Sequence, residues 1–480
     1  MASRPLRSDP AAIVALLSGP GRSDLTRFLT RQRWFAAKTR GIGGLEVLDW
    51  AVLDPDGPLL LVLLAVDGDR YYLPVAVAAD APPDLALARA AGEAAVDAHD
   101  DAAFAGRVVA AIAAGRVVGG RAGRFRFHST PGWTFPADPQ AQPARRLTGE
   151  QSNTSVVVGD LVLKSLRRPS PGLDPDLEIT RFLTTRTSFR HVPRLAGWAE
   201  YERPGETATL TVLQEFVPNT GDAWTHVVST LAGRGAAPGR RLDPLVDDMR
   251  RLGEITGGLH RALASDHAHP EFRPEPITRE DVAGWRDDIE RELAAIDLAR
   301  RVTGDSAAGI ARALAEIEGL AGAVAKIRVH GDYHLGQVLK TANGFVIIDF
   351  EGEPGRPLAE RRRKQPALRD VAGMLRSLDY AAHAVGFRRP AAERAAALDA
   401  LTAWEREARR AFLAGYHAAA ATAALALAPA DAAALERGCA PFELQKACYE
   451  LRYELDNRPD WAAIPLAGIE RLLGRPRAGD

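Results

Sequence analysis

Two acids, Asp332 in HGDYHLGQVL and Asp349 in FVIIDFEGEP, stand 17 residues apart, with Gln337 five positions after the first. A carboxylate in a short loop after an apolar run can accept a proton from a hydroxyl. An amide oxygen and a second carboxylate downstream suit Mg²⁺, which favours oxygen donors together with nucleotide phosphates over an all-protein cage. The chemistry these types permit is phosphoryl transfer, in which a base orients a hydroxyl and a metal neutralises charge on the transferring group. The competing reading is two polar turns flanking a buried strand.

Three upstream segments decide between them. GEQSNTSVVVGD sets Ser152, Asn153, Thr154 and Ser155 at a turn between two strands, where backbone N–H groups and hydroxyls can meet phosphate oxygens. It contains no GxGxxG, and alone it is only a polar hairpin turn. Lys164 closes the apolar run LVLK and can reach nucleotide phosphates, with Glu178 in the following DPDLEI helix to hold it, as a strand lysine and a helix glutamate do in kinases. A lone lysine there would read as an edge-strand cation facing water. QEFVP, with Gln214, Glu215, Phe216 and Val217, is a strand end whose backbone groups could line an adenine pocket. The four pieces in this order favour phosphoryl transfer over isolated turns.

The elements that must position them follow from patterning. LLLVLLAV and YYLPVAVA around DGDR predict a β-hairpin. Residues 85–113 read as an Ala-rich helix with short strands beyond, 145–217 as a second β-rich stretch, and the remainder as mainly helical. The apolar window 418–429 reads as a packed helix, too short for a membrane span, and 233–244 reads as a loop. Trp34 and Phe35 are expected in a core. Strand runs followed by helix runs predict an α+β fold. We expect an N-terminal cap subdomain over 1–90, a β-rich subdomain carrying the phosphate loop and lysine strand over 91–217, and a helical lobe over 218–480.

With 480 residues the chain needs more than one compact unit. Its formal net charge of −1 argues against a dedicated nucleic-acid binder. Cys439 and Cys448 offer no zinc or disulfide spacing, and with no convincing signal peptide a cytoplasmic protein, monomeric or weakly dimeric, is expected.

HGDYHLGQVL and IIDFEGEP resemble the catalytic and metal-binding segments of the aminoglycoside-phosphotransferase-like kinases, and more closely those of actinobacterial maltokinases. QRWFAAKTR resembles their N-terminal cap, GEQSNTSVVVGDLVLKSLRR their phosphate loop and lysine strand, and PALRDVAGMLRSLDYAA and YELDNRPDW their C-terminal lobe. The resemblance covers nearly the whole chain. It implies a bilobal kinase-like fold, ATP as co-substrate, Mg²⁺ as metal, Asp332 as base, Gln337 and Asp349 as metal ligands and Lys164 as phosphate-binding lysine. Gln337 stands where the wider family has asparagine, and Glu351 replaces the glycine of the kinase DFG segment, where it could add a second metal contact.

For the acceptor the informative segment is ELQKACYELRYELDNRPDW. On a helix Gln445, Tyr449, Arg452 and Asp456 share one stripe, while Glu450 and Glu454 repel unless they face water or share a cation. Pairing with Arg452 and Lys446 on a solvated face is the plain account. The combination Q-x-x-C-Y-E with Y-E-x-D-N-R looks more like the glucosamine kinase branch, whose ammonium-bearing substrate would reward extra carboxylates. The expected acceptor contacts are therefore Asp332, His334, Gln445, Tyr449, Glu450, Glu454, Asp456, Asn457 and Arg458, with glucosamine preferred over maltose and glucosamine 6-phosphate as product. An aminoglycoside kinase is a further possibility. A nucleotide-binding pseudokinase would be expected to lack Lys164, Asp332 or Asp349, and all three are present.

Overall fold

The run LLLVLLAV becomes β2 (Leu59–Val66), and its period-2 alternation is divided between two cores. Leu59, Leu61 and Leu63 pack with Phe104, Val108, Phe125 and Leu163. Leu60, Val62, Leu64 and Val66 pack with Ile13, Leu29, Trp34 and Phe35. A strand covered on both faces must be apolar throughout, as this one is. The computed structural model describes residues 9–36, 41–79, 81–90, 92–148, 152–234, 243–296, 306–423 and 425–474. These form two compact units, residues 1–185 with 193–217, and residues 186–192 with 218–480.

The N-terminal unit holds two antiparallel sheets. The first runs β1 (Leu45–Asp54), β2, β4 (Val75–Ala78), β6 (Glu93–Asp97), β5 (Ala86–Ala90), with β3 (Asp69–Tyr72) paired to β2 as the predicted hairpin. Helices α1 (Pro10–Ser18) and α2 (Arg22–Arg31) border it, and Trp34 and Phe35 are core, 5% and 2% exposed. The second has seven strands: β7 (Val117–Gly119), β8 (Arg124–Ser129), β12 (Leu195–Arg203), β13 (Glu206–Glu215), β11 (Leu161–Leu166), β10 (Asn153–Val158) and β9 (Ala144–Arg146). The Ala-rich stretch expected as helix is instead β5, β6, a single 3-10 turn and then α3 (Phe104–Ala113). Alanine has no strong local veto against a strand, and pairing of β6 with β4 and β5 overrides its helix preference.

The two sheets are joined by a buried ion cluster. Arg167, 0% exposed, donates from Nε to Thr154 Oγ1 at 2.8 Å and pairs with Asp97 at the end of β6. Its guanidinium lies 4.8 Å from the Trp34 ring centroid. His99 Nδ1 is 2.7 Å from the other Asp97 oxygen, and its Nε2 is buried without a partner among the described residues. Burial first, then the nearby Arg167 charge, pushes the His99 pKa down to about 4 against the pull of Asp97. His99 is therefore neutral in the fold while the unfolded chain takes up a proton near pH 6.5, so stability drains away as pH falls from about 6.5 to about 4. The melting temperature of this unit should decline across that window, and His99→Gln should flatten the decline. An unchanged slope in the variant would assign it to other groups.

The C-terminal unit is helix-rich: α5 (Ala223–Arg234), α6 (Asp243–Leu263), then Arg279–Ala295, Ser306–Glu318, Leu368–Phe387, Ala391–Ala420, Ala432–Asn457 and Ala463–Leu472. A small sheet β14 (Glu275–Pro276), β15 (Ala325–Ile327), β18 (Gln365–Pro366) and the hairpin β16 (Val338–Thr341), β17 (Gly344–Ile347) complete it. The mixed α+β architecture matches expectation. Two details differ. The helix expected over 418–429 ends at Ala420, because alanines supply little area to bury and Pro429 disfavours helix just before it. The apolar run leading into the Asp332 loop is strand only as far as Ile327. Most of the loop expected at 233–244 lies outside the described residues. No helix among those described is long and apolar enough to cross a membrane.

Candidate active site

The loop carrying Asp332 is held from below by one buried carboxylate. Asp370, in the first turn of the Leu368–Phe387 helix, accepts the His330 N–H at 2.7 Å and the Gly331 N–H at 2.9 Å, and His260 Nε2 lies 3.0 Å away. Burial favours its neutral form, but hydrogen bonding and charge from His260 outweigh this and hold the carboxyl low. Gly331 sits at φ +87, where a side chain would be strained. His330 Nε2 faces the Ile348 carbonyl at 2.9 Å, and a carbonyl only accepts, so Nε2 carries the proton. Nδ1 is then free to accept the Asp332 N–H at 3.4 Å. Tyr333, packed against His330, donates to Thr256 Oγ1 at 2.8 Å, since that hydroxyl already donates to the Leu252 carbonyl.

Asp332 itself keeps 20% of its side chain exposed, enough for a hydroxyl to reach. Oδ1 lies 2.9 Å from Lys446 Nζ, and His334 Nε2 is 4.0 Å from Oδ2. Burial pushes the Asp332 pKa up, but the charges of Lys446 and His334 outweigh it, and the net shift is downward. The carboxylate is thus ready to accept a proton at neutral pH. Lys446 also reaches Glu353 at 3.4 Å, and Glu353 pairs with Arg356. Burial would lower the Lys446 pKa; Asp332 and Glu353 reverse that and raise it. Lys446→Met should therefore move the acid limb of the kcat/KM profile to higher pH and cost on the order of tenfold in turnover. A lower rate with an unmoved acid limb would show that Lys446 only packs.

Gln337 and Asp349 are brought together by the β16–β17 hairpin, Gln337 Nε2 donating to Asp349 Oδ2 at 2.9 Å. Carboxylate oxygens of Asp349 and Glu351 lie within 4.8 Å of each other. Hard carboxylate oxygens so grouped fit a Mg²⁺ ion. Asp349 is one of two non-glycine residues with positive φ among those described, at +67.

In the N-terminal unit Lys164 is 8% exposed in the middle of β11 and donates to Asp176 Oδ2 at 3.2 Å. It is a buried lysine, not an edge cation in water. Asp176 is therefore a partner that sequence reasoning missed; Glu178, 4% exposed, is on the same helix α4 (Pro175–Arg186). Asn153, Thr154 and Ser155 are buried residues of β10, not turn residues, because the register with β11 extends through Asn153. Ser152 precedes the strand, and Gly149 to Gln151 lie outside the described residues. Gln214 and Glu215 end β13, and the Phe216 N–H donates to the Asp160 carbonyl at 2.8 Å, with the segment through Val217 half-buried.

The acceptor segment is the Ala432–Asn457 helix. Gln445 and Tyr449 line a recess with Asp332, Glu353, Arg369 and Lys446. Gln445 is 4% exposed and its buried Nε2 has no hydrogen-bond partner among the described residues. The other predicted members lie elsewhere. Glu450 pairs with Arg376 at 2.6 Å, and Glu454 takes Tyr380 Oη at 2.6 Å and Arg458 Nε at 2.8 Å. The expected partners go to different acids, Arg452 to Glu292 and Lys446 to Asp332. Asp456 is exposed ten residues past Lys446, about 15 Å further along the helix axis. Asn457, also exposed, donates back to the Tyr453 carbonyl. The stripe through Gln445, Tyr449, Arg452 and Asp456 is thus only partly at the recess.

A β-rich unit with a buried strand lysine, and a helical unit with an accessible loop carboxylate beside a Gln–Asp pair, have the parts of a phosphotransferase of the kinase type. The maltokinase N-terminal cap domain matches residues 28–109, and the phosphotransferase enzyme family matches residues 143–352. The glucosamine kinase of Streptacidiphilus jiangxiensis is 30% identical over 338 residues, covering 68% of this chain and 73% of that protein. That of Mycolicibacterium smegmatis is 32% identical over 348 residues, covering 70% and 81%. A solved glucosamine kinase in complex with glucosamine, ADP and inorganic phosphate superposes with a TM-score of 0.66 at 25% identity, covering 93% of this chain and 99% of that one. The chain belongs to the maltokinase-like and glucosamine kinase family of aminoglycoside-phosphotransferase-like kinases.

Proposed function

We propose that this protein transfers the γ-phosphoryl group of ATP to O6 of glucosamine, forming glucosamine 6-phosphate. The observation that carries the transfer is the ionised, accessible Asp332 held by Lys446 beside the orphaned Gln445 amide. The acceptor rests on the glucosamine kinases among the relatives. Asp332 accepts the proton of the acceptor hydroxyl and orients its oxygen, while Gln445 Nε2 donates to a second sugar oxygen. Tyr449, half-exposed with the Lys446 ammonium 5.1 Å from its ring centroid, borders the sugar. Lys164 binds a nucleotide phosphate. Gln337, Asp349 and Glu351 would hold Mg²⁺, which when bound neutralises charge on the phosphates.

Maltose is the second reading, favoured by the maltokinase cap match and by Lys446, a cation standing where an ammonium-bearing sugar would prefer an acid. Of the acids expected to meet an ammonium, Glu450 and Glu454 have internal cations, and Asp456 is exposed further along the helix. ADP release measured with glucosamine, maltose, glucose, N-acetylglucosamine and an aminoglycoside separates these. Turnover should be fastest with glucosamine; turnover of maltose with none of glucosamine would reverse the assignment.

A further inference from the structure

Residues 186–191, the end of α6 and the turn after it enclose a recess of about 720 Å³ within the C-terminal unit. Its lining carries Arg186, Arg190, Arg261, His191 and His267 and, among the described residues, no carboxylate. Among the described residues none of the three arginines has an acidic partner. The acid nearest in sequence, Asp266, is turned back to accept the Ala268 and His269 N–H groups. Arg190 Nη1 is tied to the carbonyls of Thr187 and Phe189, which fixes its direction and leaves its other N–H donors available.

Arg186, Arg190 and Arg261 are exposed, so water and salt screen their mutual repulsion, but they leave positive charge at the recess that an anion can meet. Guanidinium forks match the oxygens of a phosphate. The volume falls within the range for small-molecule pockets. Phe189 and the 40% exposed Leu425 add apolar wall, which suits a phosphorylated organic molecule better than a bare ion. The recess is also wired to the catalytic unit. His191 Nδ1 donates to the Phe345 carbonyl at 2.9 Å, and the His191 carbonyl accepts the Ile347 N–H at 2.8 Å. Both contacts fall on β17, the strand that delivers Asp349 two residues later.

We propose that this recess, joined to β17 through His191, is a second anion site of the enzyme that takes a phosphate group. The test is titration calorimetry with inorganic phosphate and, separately, glucosamine 6-phosphate, at constant ionic strength. It compares the full-length protein with its Arg186→Glu/Arg261→Glu variant. The native protein should show a saturable site that weakens at least tenfold in the variant, whose turnover in phosphate-free buffer stays within about twofold. Tighter binding of glucosamine 6-phosphate would identify a phosphorylated sugar as the ligand, and the reverse order would identify free phosphate. Identical titrations for the two proteins, or no binding beyond that of chloride, would overturn the proposal. Because binding is read without turnover, the result stands apart from the choice of acceptor.

Discussion

Asp332→Asn should lower acceptor phosphorylation by about 10²–10⁴-fold, the range for loss of a general base, with nucleotide affinity changed little. Asparagine keeps the shape and can still meet the hydroxyl, but it cannot take the proton. The fold should survive, since Lys446 retains Glu353 as a partner and the loop is held through Asp370, not through the Asp332 side chain. The pH profile adds a second check. The Lys446 and His334 charges keep Asp332 ionised below the usual carboxylate range, so activity should persist as pH falls through that range in the native enzyme. Turnover of the variant within tenfold of native, with normal melting, would remove Asp332 from the role of base.

The largest stability effect is expected at Arg167. Arg167→Met removes the cation from a fully buried site, leaving Asp97 with the neutral His99 as its buried partner and Thr154 Oγ1 without its Nε donor. Breaking a buried pair from one side typically costs about 3–5 kcal/mol. The double variant Arg167→Met/Asp97→Leu should recover much of that loss, because removing both charges lifts the desolvation penalty of an Asp97 without its cation. Urea unfolding of both, read as a double-mutant cycle, measures the coupling. A single variant within about 1 kcal/mol of native would mean that water reaches the cluster and the pair is worth no more than a surface one.

How much of this could be read from the chain alone varied with the range of the interaction. β2, the hairpin to β3 and the β16–β17 hairpin are local, and alternation with turn residues revealed them. Gln337 and Asp349 meet because a short hairpin returns the chain, so their spacing was informative. Lys446 meets Asp332 across 114 positions, and nothing in ELQKACYE distinguishes that lysine from a surface partner of the neighbouring glutamates. Asp370 is similar: RDVAGML reads as an ordinary helix start until the His330 and Gly331 N–H groups are found on its carboxylate. Asp176 sits two residues before Glu178 on α4, and pattern alone did not single it out as a partner of Lys164. The stretch at 85–113 misled because alanine carries too little preference to outweigh sheet pairing.

Asp349 holds a backbone conformation that glycine or asparagine adopts more readily, and it does so at the residue whose carboxylate is proposed to hold the metal. The side chain and the main chain at this position therefore answer to different demands. A lineage released from catalysis would be free to drift there toward glycine, gaining stability as it lost the oxygen donor. The identity of residue 349 in related chains is thus a marker of retained enzymatic selection, independent of whether the surrounding fold is intact.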